Sequence, residues 1–390
     1  PASLAEIAVQ VPGVSENGQG GLFQVVSVRG ISRQRVLNLV AGSRMTSERR
    51  AGTSTSWFDA ELMGEVDVVR GPASTYYGSG ALGGAIELYP RRFDRLEVRL
   101  GYRDQGDHHN ETVAWGNGRL SMALAHRKTG DTEAADGSER FDRYDQWSGS
   151  FRADWGEGRY DQRLLLLPGY TEDIGKPNTD FPERTTLYPD ERHLLTRYSI
   201  SKGESWRAAA FLHPHELTTR VDEGAATEIV DNETFDLGAL FEAAPFRSAK
   251  RNLDGRVGVD YFGRRGVDAV ERSFVDGTLV ETVSPLDDAR QDEVAAYSVV
   301  NGRWSRLSAE AGARLTWVEQ QNADLPSEDE TAVSGFAGLG ADLGSGLQLT
   351  ASLGTGLRVP SLSELFFTGT TGRGQVIGNP NLDSERAWNG

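Results

Sequence analysis

From about Phe93 onward the chain alternates apolar and polar residues with a period of two, segment after segment, which limits it to strands with two unlike faces. Leu307, Ala309, Ala311, Ala313, Leu315 and Trp317 alternate with Ser308, Glu310, Gly312, Arg314 and Thr316. Trp147, Gly149, Phe151, Ala153 and Trp155 repeat the pattern, as do Leu253, Gly255, Val257, Val259 and Tyr261, and then Leu347, Leu349, Ala351 and Leu353. Connection lengths alternate as well. Tight turns at Gly116-Asn117-Gly118, Gly156-Glu157-Gly158, Ser305-Arg306 and Gly344-Ser345-Gly346 take turns with long polar stretches at residues 128–146, 171–191, 214–234, 264–292 and 319–331, which read as loops. A soluble sandwich also alternates but has no reason for this long-short rhythm, whereas a bacterial transmembrane barrel shows both.

Composition agrees. No apolar run reaches the roughly 18 residues of a membrane-spanning helix, and mean hydropathy is -0.46. A barrel hides inside such a polar average because only every second strand residue meets lipid. Trp147 and Trp155 lie eight positions apart, roughly 19 Å along the membrane normal for a tilted strand, close to the spacing of two aromatic girdles. Trp304 and Trp317 flank one hairpin likewise. The net charge of -16 argues against a nucleic-acid partner, and zero Cys excludes disulfides, thiol catalysis and zinc-thiolate sites. Counting from Phe93 gives about 13 or 14 strands, against 22 in plugged transporter barrels. The chain therefore reads as partial at Gly390, and its start at Pro1 without a leader reads as processed or partial.

Residues 1–90 are different and read as a mixed α+β domain ahead of a barrel spanning 91–390. Ser3 is placed to cap a short helix carrying Leu4, Ile7, Ala8 and Val11, with Glu6 at the capping-box position and Pro12-Gly13 as its stop. Short strands are expected at residues 24–29, 36–40, 66–70 and 85–89. Gly78, Gly80 and Gly83 spell G-x-G-x-x-G, but a strand rather than a helix follows them, so a dinucleotide site is rejected in favour of a tight turn and close packing.

The run from Val66-Asp67-Val68-Val69-Arg70-Gly71-Pro72 to Gly83-Gly84-Ala85-Ile86-Glu87-Leu88 resembles the closing segment of the plug domain of TonB-dependent outer-membrane receptors. Val28-Arg29-Gly30 and Val69-Arg70-Gly71-Pro72 resemble the two arginine-glycine signatures of that plug. Gly356-Leu357-Arg358-Val359-Pro360, running on to Phe366, and Asn379-Pro380-Asn381-Leu382 resemble a paired signature in the barrel of the same receptors. The resemblance implies a mainly β fold, a transmembrane antiparallel β-barrel with an α+β plug in its lumen, in the bacterial outer membrane. It implies energy-coupled import, with TonB and its inner-membrane complex, a small extracellular ligand, and membrane lipid and lipopolysaccharide as partners, and a monomer. It also implies that Arg29 and Arg70, with Gly71 beside the second, lock the plug in the lumen, Glu385 being a candidate partner. Two departures stand out: Ala41-Gly42 replaces the plug's usual Asp-Gly, and the energy-coupling box is not within this stretch.

Arg44, Arg49, Arg50, Trp57 and Phe58 fall in a polar loop between plug strands, where guanidiniums and rings would meet an anionic, chelated ligand; a solvated basic loop is the plain alternative. Tyr76 and Tyr77 are weaker candidates. No metal site and no cofactor are expected: His108-His109 are adjacent and point to opposite faces of a strand, and Glu328, Asp329 and Glu330 read as solvated surface rather than a Ca²⁺ site. Asn110-Glu111-Thr112 and Asn232-Glu233-Thr234 match glycosylation acceptors by chance. No nucleophile-base arrangement appears, so no catalytic residues are nominated. The expected function is import of a scarce ligand, with a ferric siderophore favoured. Cobalamin, haem or a carbohydrate are the alternatives, together with a passive porin or adhesin-like barrel and, remotely, a nucleotide-using enzyme. No His lies between the two C-terminal boxes, which disfavours haem.

Overall fold

The computed structural model describes residues 4–16, 21–47, 53–156, 158–177, 183–248, 252–323, 325–371 and 374–390. Ser3, Arg49 and Arg50 lie outside the described residues. The polypeptide forms a small N-terminal body enclosed by one large antiparallel sheet.

The small body begins with the helix Leu4–Ala8 and a three-stranded sheet of Val14–Glu16, Val26–Val28 and Ile31–Ser32. A four-stranded sheet follows in the order Ser43–Arg44, Val36–Val40, Gly84–Pro90, Met63–Arg70. Val36–Val40 pairs in parallel with Gly84–Pro90, and all five of its residues are buried. A run that is apolar but for Asn38, whose amide donates to the Val36 and Thr53 carbonyls, suits a parallel strand covered on both faces. Gly78, Gly80 and Gly83 follow a short helix, Ser74–Tyr77, and lead into the strand Gly84–Pro90, so a strand and not a helix comes after them, as the rejection of a dinucleotide site requires. Gly84 itself has φ +146°, and a Cβ there would sit 2.2 Å from the Val69 carbonyl oxygen, so the chain can cross its partner strand only at a glycine.

The large sheet has fourteen strands among the described residues, running as a meander from Glu97–Arg103 to Glu385–Asn389. Side chains obey the period-two prediction, with the apolar set outward. Val257, Val259, Leu315, Leu339, Leu349 and Leu353 are exposed, as are Trp147, Trp155, Trp304 and Trp317, while Gln291, Glu293, Arg314 and Thr316 point inward and are buried. A water-soluble sheet would invert this arrangement; a lipid-facing barrel wall requires it. None of the described helices is long and apolar enough to cross a membrane.

Two of the expected long loops are not loops. Trp206–Glu223 and Ala226–Ser248 continue through residues 214–234 and close at Gly224-Ala225. Leu253–Val275 and Thr278–Trp304 continue through 264–292 and close at Asp276-Gly277, both residues having positive φ (49° and 74°), the geometry of a tight hairpin. A strand of 27 residues, rising about 3.3 Å per residue at a 45° tilt, climbs roughly 60 Å, far past the apolar band of about 25 Å. Beyond the bilayer neither face meets lipid, so the alternation that marks a strand in sequence fades while backbone pairing continues.

The largest core cluster joins the two bodies. Val40, Trp57, Phe58, Leu62 and Leu88 from the small body pack with Leu165, Leu167, Leu195, Phe211 and Phe262 from the sheet. The outer face makes its own prediction. Leu339 is 69% exposed about six residues from the Gly344-Ser345-Gly346 turn, near mid-band. Leu339→Arg should cost about 2–4 kcal/mol of barrel stability in lipid, read as a lower urea midpoint for refolding into vesicles. An unchanged midpoint would place this face away from lipid.

Candidate functional site

The candidate site is the contact between the inner body and the wall, because there buried charge sits where an apolar core would have been simpler. Arg44 ends the short strand Ser43–Arg44 and reaches Glu293 with two hydrogen bonds, 2.7 and 3.2 Å. Its side chain is 12% exposed and that of Glu293 0%. Arg314 forks onto Asp260 at 2.6 and 2.7 Å and lies 3.7 Å from Glu293. Two guanidiniums and two carboxylates thus balance inside the lumen, as buried ions must. Burial would lower the Arg44 pKa, but Glu293 outweighs it and the guanidinium is held above its ordinary value. Gly78, with φ +85°, lies against this quartet: a Cβ would stand 2.6 Å from Arg44 Nη2. Phe262 covers the Arg44 guanidinium at 4.5 Å.

Further buried links run along the same contact. Arg127 Nε lies 3.1 Å from Asp59 Oδ2, both nearly fully buried. Gln146 donates to the Ser56 carbonyl at 2.6 Å, and Asn110 and Thr112 donate to Glu61 at 2.8 and 3.0 Å. The Ser74 hydroxyl accepts from the Leu357 amide and Ser79 accepts from Val359, tying the inner body to the Gly356-Leu357-Arg358-Val359 box. Arg358 holds Glu364 and Glu385 at 2.6 and 2.9 Å, and Glu364 also completes the capping box of the helix Leu362–Phe366 from Ser361.

The sequence-predicted site residues fall out differently. Arg29 and Arg70 are exposed and, among the described residues, neither reaches a carboxylate; Arg70 donates to the Pro12 carbonyl at 3.0 Å. They therefore do not lock this body to the wall through Glu385. Glu385 is instead gripped by Arg35 through two bonds of 2.6 Å. Arg35 sits in the short 3₁₀ turn Arg33–Arg35 that precedes Val36–Val40. Gly71, φ +98°, does lie at the wall, where a Cβ would meet Asn389 at 3.0 Å. Trp57 and Phe58 are 1% and 0% exposed, so they are core residues and not ligand contacts. Their rings are apolar area best buried against the wall, and the loop folds down to bury them. Arg44, expected to meet a ligand from outside, is committed to Glu293.

What the sequence reading missed are the wall partners. Glu293, Asp260 and Arg314 carried one legible signal, charged residues at inward positions of otherwise alternating strands. His193, His213 and His215 also converge under Trp57; the spacing His213-x-His215 put two of them on one strand face.

Arg35–Glu385 is the weaker link despite its short distances, because the side chains are 43% and 32% exposed. Arg35→Ala should cost under about 1 kcal/mol, with thermal melts as the check; a loss several times larger would make it the main lock. A cavity of about 500 Å³ separates the inner sheet from the wall, lined by Arg44, Tyr77, Glu87, Arg197, Arg207 and Tyr297 among others. Burial lifts the Glu87 carboxyl above the usual range, against the pull of Tyr89 and Arg197. The neutral acid is therefore favoured in the fold: its contribution is complete below the unfolded value near 4.3 and is lost as pH rises through the higher folded one. Glu87→Gln should accordingly melt above the native chain at about pH 7.5 and match it near pH 3.5. A gap that persists in acid would refute the burial argument.

A plug seated by buried ion pairs inside a lipid-facing strand wall defines an outer-membrane plug-and-barrel protein, a class of transporters and receptors rather than enzymes. Residues 1–85 match the TonB-dependent Receptor Plug Domain and residues 46–390 match the TonB dependent receptor-like β-barrel. The chain belongs to the TonB-dependent receptor family. It is 26% identical over 416 aligned residues, 97% of its length, to the vitamin B12 transporter BtuB of Vibrio vulnificus (strain YJ016), of which it covers 59%. A hemin receptor of Yersinia pestis is 43% identical over 86 residues, 22% of this chain and 13% of the receptor. Among solved structures, the copper transporter OprC superposes with a TM-score of 0.76 at 18% identity, covering 98% of this chain and 64% of OprC. The chain spans about three fifths of these full-length relatives.

Proposed function

We propose that this protein imports a scarce extracellular ligand across the outer membrane, energised by TonB and its inner-membrane complex, and that the ligand is a ferric siderophore. The observation that carries the coupling is the buried quartet of Arg44, Glu293, Arg314 and Asp260. A stopper held by desolvated ion pairs does not move aside at thermal cost, so passage needs work from outside the barrel. A passive porin has no use for such a lock.

The choice of an iron chelate rests on two supports. A ferric enterobactin receptor of Pseudomonas aeruginosa is 27% identical over 158 residues, 35% of this chain. The cavity beside the plug carries Arg163, Arg197 and Arg207 with several tyrosines, donors suited to an anionic chelate. In this reading the plug takes residues 1–90, the barrel 91–390, and the receptor works as a monomer.

A deletion strain supplied with single iron sources tests it. Growth on a ferric siderophore should require both this protein and TonB. A defect confined to cobalamin-dependent growth would overturn the ligand, and uptake that survives collapse of the proton motive force would overturn the coupling.

A further inference from the structure

Three of the chain's six histidines meet in one buried place. His213 and His215 lie two apart on Trp206–Glu223 and point inward together, and His193 on the neighbouring strand stands in register opposite His215. His193 Nδ1 is 3.0 Å from His213 Nε2, and His215 Nε2 is 3.3 Å from Asp236 Oδ2. Glu191 Oε1 lies 3.1 Å from His193 Nε2. All five side chains are buried beneath the plug, with Trp57 stacked on His193 at 4.6 Å.

Ring stacking alone would explain three imidazoles packed against a tryptophan. It does not explain two further features. His213 Nδ1 is buried and, among the described residues, has no hydrogen-bond partner. A cavity of about 20 Å³ opens beside the cluster, lined by Thr46, Glu191, His193, His215, Asn232 and Thr234, room for a single water-sized guest.

We propose that His213, His215 and Asp236 form a binding site for one bare divalent transition-metal ion of the zinc or copper kind. Their donor atoms all lie within 4.8 Å of one another. A tetrahedral zinc with bonds of about 2.0–2.1 Å holds its ligands roughly 3.3 Å apart, the separation already present between His215 and Asp236. Two imidazoles and one carboxylate favour zinc, copper(II) or nickel(II) over calcium or magnesium, which prefer oxygen throughout. The outer shell is in place: Arg264 donates to Asp236 Oδ1 at 3.0 Å, and the Thr46 hydroxyl of the plug donates to Oδ2. With Asp236 and Glu191 against Arg264, the local charge is negative and suits a cation.

The pocket is too small for a chelate, so this ion is not the cargo of the import reading, and the two stand or fall separately. Thr46 and Trp57 belong to the plug while the ligands belong to the wall. Ion exchange therefore requires the plug segment over the cluster to lift.

The test uses the whole chain, without a His tag, folded in detergent, stripped with EDTA and titrated with zinc chloride alone. Calorimetry and metal analysis after gel filtration should give one zinc per chain. His213→Gln and Asp236→Asn should each weaken binding by about tenfold or more, while His109→Gln, on an exposed surface away from the cluster, should not. Gel filtration and circular dichroism establish that each variant is folded. Copper(II) should quench tryptophan emission by a smaller fraction in Trp57→Phe than in the native chain. Failure of the native chain to retain zinc, or equal retention in His213→Gln and Asp236→Asn, would overturn the site.

Discussion

Arg44→Ala unseats the plug at a cost of about 3–5 kcal/mol. The size follows from what remains. Glu293 stays in place with its side chain fully buried, and its nearest cation becomes Arg314 at 3.7 Å, whose fork is already committed to Asp260. A desolvated carboxylate with a borrowed partner is the costly state, more than the loss of the pair itself. The expected readout is hydrogen exchange in the full chain. Amides of Val36–Val40 and Gly84–Pro90 should exchange about a hundredfold faster or more, each 1.4 kcal/mol of opening being worth tenfold, while wall strands such as Leu253–Val275 keep their protection. Adding Glu293→Gln should restore at least about 1 kcal/mol by removing the stranded charge. Protection unchanged in the single variant, or no recovery in the double, would show that the quartet does not hold the plug.

That expectation separates two kinds of plug contact that look alike by distance. Arg35–Glu385 and Arg44–Glu293 both approach within 2.7 Å, yet only the second is out of water. Solvent screens the first, so burial and not bond length ranks them.

Sequence alone carried the wall and the strands of the plug because both are written in periodicity. The alternation around Leu315 and Trp317 encodes which face meets lipid, and the run Val36-Leu37-Asn38-Leu39-Val40, apolar but for its central Asn38, encodes a strand covered on both sides. The hairpins above the bilayer were illegible for a related reason: around Asp276-Gly277 the apolar residues Phe274, Val275, Leu279 and Val280 come in adjacent pairs rather than in alternation, and pairing is a backbone property that leaves no alternating mark. The site was read less well. Arg29 and Arg70 carry the recognisable signatures, but a lock is a property of two residues far apart in the chain. Arg44 and Glu293 are separated by 249 positions, and the inward position that marks Glu293 as a lumen charge does not say which arginine it meets. Trp57 and Phe58 looked like ligand contacts because they sit in a polar loop, yet large apolar rings in such a loop more often mark where it folds back onto a core.

Trp57→Ala should cost about as much as the loss of Arg44, about 3–5 kcal/mol, through packing rather than charge. Trp57 is among the largest fully buried side chains, sits edge-on to Phe58 at 5.5 Å and stacks on His193 at 4.6 Å. Wall and plug were shaped around it. A Cβ on Gly169, in the strand Asp161–Lys176, would stand 2.7 Å from both the Trp57 ring and its backbone oxygen. Opposite changes of volume at this contact should therefore have the same sign. Trp57→Ala opens a void that the rigid strand wall cannot close, and Gly169→Ala drives the wall into the ring, each releasing the plug while the outer sheet stays folded. Combining the two should not rescue, because the backbone oxygen of residue 57 still meets the new methyl group. Thermal melts of the full chain, with hydrogen exchange to separate plug from wall, give the result. Equal protection of Val36–Val40 in all three chains would mean that the ring merely fills space, and full recovery in the double variant would mean that the clash is with the ring alone.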